Sequence, residues 1–573
     1  MIAPSRMTGA LAVGVFAFAA TPGQAGPIYQ IAVERNVRIP MRDGITLGAD
    51  IYRPKAPGRF PALMLLRYYQ TGDGDARFFA RHGYVCVLVD SRGRGKSEGQ
   101  WDPYVNEPRD GHDALEWIGR QPWCTGKIGM FGRSYNGFTQ LMAASGGSRY
   151  LRCTVPVGCQ QTNFGHLYND GVPQLNVIFT FGLFATGKTK TGPHIPIGEH
   201  YLQLPLMSAA DKVDNPQAQR VKTWLTHSRY DEYWKSYGVK DKYDQIKAPA
   251  YLVTGWYDNL VHESWRNFTG LRRHGGSKEA REGTRILVGP WVHGGYGPLR
   301  ELHLRWYDYW LKGIDTGIAE EPPIKIYVMG ANRWRHEDEW PPARTRFTKF
   351  YLHSGGRANS VHGDGTLSRA PPAGDEPPDR FVYDPADPVP TLGGQISTHA
   401  HIWGAKDRQS VQGREDVLVY TTEPLAEDLE VTGPVVVKLC AASSAVDTDF
   451  TATLSDVHPD GRAIHVCEGI RRASFRESLE HPTLITPGKV YRYSIDLWET
   501  SMVFKKGHRI RLEIASSNFP RYARNLNTGR PLGTSAEMKT AHQTIFHDAQ
   551  HLSHVILPVI PSAGPDRGPH DAR

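Results

Sequence analysis

A chain of 573 residues exceeds what one hydrophobic core organises, so two to four domains are expected. With 40% apolar and 22% charged residues the composition is that of an ordinary globular protein, and no internal apolar run reaches the roughly 18 residues a membrane helix needs. The formal net charge of +8 is scattered without a dense Lys/Arg run, which reads as a solvated basic surface and argues against nucleic acid as a partner.

The first 25 residues stand apart. Arg6 supplies a positive charge, residues 11–20 are apolar, and 21–25 end in small residues. This is the pattern of a secretory signal cleaved after about Ala25, so a periplasmic or secreted location is expected. Met7 could also initiate, leaving only a short leader. A single arginine fits general secretion better than the twin-arginine route. The six cysteines, Cys86, Cys124, Cys153, Cys159, Cys440 and Cys467, are too few to be the main source of stability. Export would permit a bridge, with Cys440 and Cys467 the best-placed pair and buried free thiols the alternative. No Cys-x-x-Cys or His-Glu-x-x-His spacing is present, so neither metal nor other cofactor is expected.

Residues 31–39 and 46–52 alternate around Arg42-Asp43-Gly44, as in a β-hairpin. The unbroken apolar runs 61–66 and 84–89 fit strands buried on both faces. Residues 110–120 carry a helical apolar stripe, 127–131 a strand and 138–144 a helix. This alternation predicts βαβ units. Residues 160–247 break the rhythm with aromatics and helical segments, as an inserted cap would. Strands resume at 251–254 and 286–288, and 302–311 reads as a helix stopped by Lys312-Gly313. Residues 354–395, rich in Pro, Gly and Asp, read as an extended surface crossing. From about 415 the period shifts to two, as in a jelly roll or sandwich.

Three residues each follow a predicted strand: Ser134 in Gly132-Arg133-Ser134-Tyr135-Asn136-Gly137, Asp258 in Gly255-Trp256-Tyr257-Asp258, and His293 in Gly289-Pro290-Trp291-Val292-His293. Ser, Asp, His is the chain order of α/β-hydrolases. A serine hydroxyl needs a base within reach, and the base needs an orienting acid. Gly132 suits the sharp strand-to-helix turn that exposes such a serine. Asn136 stands where the usual second glycine would be. Trp256, Tyr257 and Trp291 are expected to pack beneath this constellation. Asp90-Ser91-Arg92-Gly93-Arg94-Gly95 lacks the phosphate-loop spacing and reads as a structural loop.

These motifs, with 90–99, Trp310-Leu311-Lys312-Gly313, 328–334 and Asp447-Thr448-Asp449-Phe450, resemble those of the cocaine esterase and X-Pro dipeptidyl peptidase family. The resemblance covers nearly all of the chain after the leader. It implies an α/β-hydrolase core (26–159 and 248–345), an inserted helical cap (160–247) and a C-terminal all-β jelly-roll domain (346–573), after a signal peptide at 1–25. It also implies Ser134, Asp258 and His293 as catalytic residues. The implied oxyanion hole is the Tyr135 backbone N–H and a tyrosine hydroxyl after the first core strand, Tyr69 with Tyr68 as the alternative. The α-amino acid ester hydrolases of the family carry carboxylates just after the triad aspartate, where this chain has Asn259, Leu260 and Val261. Glu263, five positions beyond Asp258, could compensate but is expected at a solvated helix position. The expected substrate is therefore a small-molecule acyl ester, with an amide (X-Pro peptide or β-lactam side chain) as the alternative and an inert core whose β domain binds glycan as a remote one. Cap aromatics are expected to line an apolar acyl pocket. A β domain packed on the core leaves surface on which two copies could pair.

Overall fold

The computed structural model describes residues 27–69, 72–184, 197–212, 218–395 and 402–561. The expected signal peptide, 1–25, lies outside the described residues. The expected hairpin forms from β1 (Ile31–Pro40) and β2 (Thr46–Pro54). Then come β3 (Phe60–Arg67), β4 (Val85–Asp90), β5 (Cys124–Arg133) and β6 (Leu151–Val157). The cap follows, with a short ribbon of β7 (Tyr168–Asn169) and β8 (Val172–Pro173). The chain then returns as β9 (Tyr251–Tyr257), β10 (Arg285–Val292), β11 (Ile324–Val328) and β12 (Arg333–Glu337). The core sheet runs β1-β2-β4-β3-β5-β6-β9-β10-β11-β12. It is parallel from β4 to β11, with antiparallel edges.

Every residue of β4 and β9 is buried, as helices on both faces require. The predicted helices stand at Glu107–Gly119, with Pro108 in its first turn, at Tyr135–Ser145 and at Arg300–Tyr307. The last continues as a wider turn, Asp308–Lys312, and stops at Gly313 with φ 73°, the left-handed cap glycine tolerates. The 90–99 loop is structural: Asp90 Oδ2 accepts from the Lys96 N–H (2.9 Å), and Ser97 Oγ donates to the Asp90 carbonyl (2.6 Å).

The cap is built of short helices, among them Asn163–Leu167, Leu175–Phe179 and Gln219–Thr226. Its aromatics mostly serve its own core: Phe164, Tyr168, Phe179, Trp224 and Trp234 are buried together. This narrows the expected acyl pocket lining, because aromatic side chains pack first against each other where short helices supply little other apolar area.

The C-terminal part is an eleven-stranded sheet in the described residues, folded around Phe350, Val431, Phe450, Leu512 and Val555. One expectation changes here and one open alternative is decided. Residues 354–395 are not merely a surface crossing: strands Thr366–Ser368 and Asp379–Tyr383 join the β domain, and Phe381 and Tyr383 enter its interior. Flanking Pro, Gly and Asp hid strands this short. Cys440 and Cys467 are buried free thiols, as are the other four cysteines. Cys440 sits opposite Arg492 and Cys467 opposite Leu454, in different ladders.

Inside the β domain His547 is wholly buried between two carboxylates, Asp379 at 3.0 Å from Nε2 and Glu376 at 3.0 Å from Nδ1. Ser354 and Tyr420 hydroxyls donate to Asp379 (2.8 and 2.7 Å), and His353 Nδ1 lies 2.7 Å from Glu376. Burial disfavours the imidazolium, but Asp379 and Glu376 outweigh it and raise the pKa of His547. Asp379 is held low, against its burial, by His547 and by its other donors. Such a histidine adds stability that is full below its unfolded pKa of about 6.5 and is lost as pH rises through the folded value. The aspartate adds stability above its unfolded pKa, lost as pH falls through its lowered value. The thermal midpoint is therefore expected to decline on the alkaline side of this plateau. His547→Gln should flatten that decline in a pH series of thermal melts and cost about 3–5 kcal/mol near pH 6 by leaving Asp379 buried without its cation.

Candidate active site

The end of β5 turns sharply into the helix Tyr135–Ser145. Ser134 sits at the turn with φ 59° and ψ −126°, a conformation that costs a non-glycine residue about 1–3 kcal/mol. The turn is held by the Ser134 N–H donating to the Val157 carbonyl (2.8 Å). Gly132 has φ 147°, and a Cβ there would lie 2.5 Å from the Asn136 carbonyl oxygen. The missing second glycine is explained by a shift of one position. A Cβ on Gly137 would lie 2.8 Å from the Val157 carbonyl, so Gly137 makes the close approach to β6. Asn136 instead fixes the chain leaving β3, its Oδ1 accepting the Tyr68 N–H at 2.8 Å.

The three strand ends converge. Ser134 Oγ lies 2.9 Å from His293 Nε2, and His293 Nδ1 lies 2.9 Å from Asp258 Oδ1. Asp258 is fully buried at the end of β9. Its carboxylate also accepts from the Leu260 N–H (2.9 Å), Thr254 Oγ1 (3.3 Å) and the Tyr296 hydroxyl. Burial opposes its charge, but His293, Tyr296 and Leu260 hold its pKa below the usual value. The register of β9 with β10 shifts between Gly289 and Val292, which carries His293 past the sheet edge onto Asp258.

Burial raises the pKa of the Tyr69 hydroxyl, and the neighbouring Ser134 side chain and Tyr135 backbone N–H oppose that rise. The two expected oxyanion donors thus both stand beside Ser134. Tyr68 points into the core instead: it is fully buried, stacked on Trp101 (4.6 Å between centroids) and covered by the Arg94 guanidinium. Tyr135 keeps its backbone N–H in place through its ring. Its hydroxyl donates to the buried Glu107 and accepts from the Tyr104 N–H (3.2 Å) and Trp101 Nε1 (3.3 Å). Burial pushes the Glu107 carboxyl up to about 7.

Trp256 packs beneath the site as expected, its Nε1–H bonded to the Tyr327 carbonyl (2.7 Å). Tyr257 is also buried, but its hydroxyl reaches the β domain, donating to the His465 carbonyl at 3.0 Å. Trp291 is half-buried against Tyr296 and Trp334. Glu263 differs from expectation. It is buried, and its carboxylate accepts the backbone N–H groups of Gln161 (3.0 Å) and Thr162 (3.1 Å) while pairing with Arg266 (3.0 Å). The cap folds back over the helix Val261–His274, which converts a solvated helix position into an anchor for the cap's first turn.

Two residues near Ser134, His293 and Asp258 escaped the sequence reading. Tyr296, three residues after His293, carried no pattern beyond its proximity in sequence. His166 of the cap is buried, and burial and the neighbouring His293 push its pKa down to about 3, so it is neutral. Its ring lies edge-on to Phe181 (5.8 Å), which stacks on Tyr135 (6.2 Å).

Comparisons with known proteins show the family. A family model described as X-Pro dipeptidyl-peptidase (S15 family) matches residues 43–295. A second, the X-Pro dipeptidyl-peptidase C-terminal non-catalytic domain, matches 316–556. Cocaine esterase of Rhodococcus sp. (strain MB1 Bresler) is 38% identical over 92% of this chain and 99% of its own length. A solved α-amino acid ester hydrolase superposes with a TM-score of 0.80 at 25% identity, covering 97% of this chain and all (100%) of that one. An aminopeptidase from the marine sediment archaeon Thaumarchaeota archaeon gives the same TM-score of 0.80 and 25% identity, over 96% of this chain and 99% of its own. The chain belongs to the cocaine esterase and X-Pro dipeptidyl-peptidase family of α/β-hydrolases, with the family's C-terminal β domain.

Proposed function

We propose that this serine hydrolase cleaves small-molecule acyl esters through Ser134, His293 and Asp258, with the Tyr135 N–H and Tyr69 hydroxyl holding the oxyanion. The carrying observation is the continuous chain of 2.9 Å contacts from Ser134 Oγ through the imidazole to Asp258. In that arrangement His293 Nε2 takes the serine proton as Oγ attacks the ester carbonyl. The carbonyl electron pair moves to the oxyanion, which two donors receive. Collapse expels the alcohol, which takes the proton from Nε2 and leaves an acyl-serine. Water then attacks by the same route, giving up its proton to Nε2, and the carboxylic acid departs. Asp258 keeps the proton of His293 on Nδ1 and stabilises the imidazolium.

A neutral acyl group is favoured over one bearing a free amine. Asn259, Leu260 and Val261 are buried and uncharged, and Glu263 is committed to the cap backbone and Arg266. An ammonium needs an anion when water is excluded. The half-buried Phe181 of the cap, whose ring stacks on Tyr135, supports a bulky or aromatic acyl group. The leader at 1–25 supports action in the periplasm or outside the cell, and mature protein whose N-terminus reads from Gly26 in a periplasmic or culture fraction would bear this out.

Three outcomes test the reading. A fluorophosphonate should label the native protein and not Ser134→Ala, and the native protein should hydrolyse p-nitrophenyl butyrate and an aryl benzoate. Turnover confined to an α-amino ester or an X-Pro anilide would overturn the neutral-acyl assignment. Tyr69→Phe should lower kcat by about 10²–10³ as one oxyanion donor is lost, whereas Tyr68→Phe should leave kcat close to native. Asp258→Asn should reduce kcat by about 10⁴ by releasing the wrong imidazole tautomer, with the label rate falling in parallel.

A further inference from the structure

The strand Asp449–Val457 of the β domain pairs with Arg509–Ala515, Val457 facing Arg509 and Asp456 facing Ile510. Continuing that ladder by one step brings His458 level with His508. Residues two apart on a strand share a face, and so do directly opposed residues of an antiparallel pair. The register alone therefore gathers Asp456, His458 and His508 on one face at the mouth of a turn.

The side chains complete the convergence. His508 Nδ1 lies 2.9 and 3.1 Å from the two carboxylate oxygens of Asp456, and His458 Nε2 lies 3.4 Å from Oδ2. The two imidazole rings are 4.4 Å apart. One ligand atom from each residue fits within a 4.8 Å cluster. Asp456 is buried (2% exposed), whereas both histidines reach toward solvent.

The second observation is charge. Among the described residues no lysine or arginine pairs with Asp456, whose contacts are the two imidazoles. The nearby cations are engaged elsewhere: Arg462 with Asp460 at 2.7 Å, although its Nη2 lies 3.5 Å from His458 Nδ1, and Lys505 with Asp428 at 2.8 Å. A buried carboxylate without a cation is costly. A divalent ion supplies that charge and uses the same three donor atoms.

We propose that Asp456, His458 and His508 form a binding site for a divalent transition-metal ion, zinc by its donor set. Two imidazole nitrogens and one carboxylate oxygen suit zinc, with a water completing a tetrahedron on the solvent side. The ion would fasten the 458–462 turn to the segment entering Arg509–Ala515. The spacing escaped the sequence reading because His508 lies 50 residues from His458 and is brought in only by the ladder.

The test uses tag-free full-length protein, stripped with a chelator and titrated with zinc alone by calorimetry, with cobalt(II) absorption as a second probe. One equivalent should bind, giving the visible bands of a low-coordinate cobalt site. His458→Ala, at the solvent-facing turn, and His508→Ala should each abolish that equivalent, while circular dichroism shows an unchanged fold for His458→Ala. No uptake by the native chain at micromolar zinc, or native affinity retained in either variant, would overturn the proposal.

Discussion

A single buried carboxylate organises the centre of this protein. Asp258 is fully buried at the end of a strand whose every residue is buried. A charge there is tolerable only when its lone pairs are filled and a cation can form beside it. The Leu260 N–H, Thr254, Tyr296 and His293 fill them. Once Asp258 is fixed, the imidazole plane is fixed, and with it the direction from which Ser134 is approached. The strained turn at Ser134 is held from the other side by β6, where the Val157 carbonyl accepts the Ser134 N–H. Geometry that would be unfavourable in isolation is thus over-determined by its surroundings.

The cap and the β domain are tied to that centre by polar contacts as well as by packing. Glu263, five residues beyond Asp258, accepts two backbone N–H groups at the cap's entry. The approach is close enough that a Cβ on Gly165 would meet its carboxylate at 2.5 Å. The β domain joins through strand-like bonds between Met329 and the Ser501–Val503 segment (3.0 and 2.8 Å) and through Tyr257 on the His465 carbonyl. The Leu175 N–H of the cap donates to the Arg521 carbonyl of the β domain (3.1 Å). All three parts therefore surround the same strand ends, where open parallel sheets place their ligands.

The β domain carries several ion pairs in its interior, among them Arg408–Glu513, Arg472–Asp449 and Arg521–Glu468. Glu468 is held at about 2 despite its burial, with Arg521 and His465 against it. Buried pairs of this kind add little net stability over a well-packed apolar core, since desolvation offsets their attraction. Their value here is positional. Arg521 lies over the Trp498 and Tyr522 rings, and Tyr522 accepts from Asn169 of the cap (2.8 Å). The interior charges thereby set how the β domain meets the cap.

The hydrolase core was legible in the chain because its signals are local. Apolar runs bounded by turn residues give buried parallel strands, and Ser134, Asp258 and His293 each follow one directly. The strand-end positions and their order needed no tertiary information. Contacts across the fold decided the rest. Which tyrosine reaches Ser134 depends on the Asn136 bond that sets the register after β3. Glu263 reads as a solvated helix residue until the cap closes over it. The strands within 354–395 are too short for periodicity to reveal, and the separation of Cys440 from Cys467 follows from ladder order. Sequence determines where strands end and which chemistry stands there. The partners of a buried polar group come from segments distant in the chain, so only the assembled structure could name them.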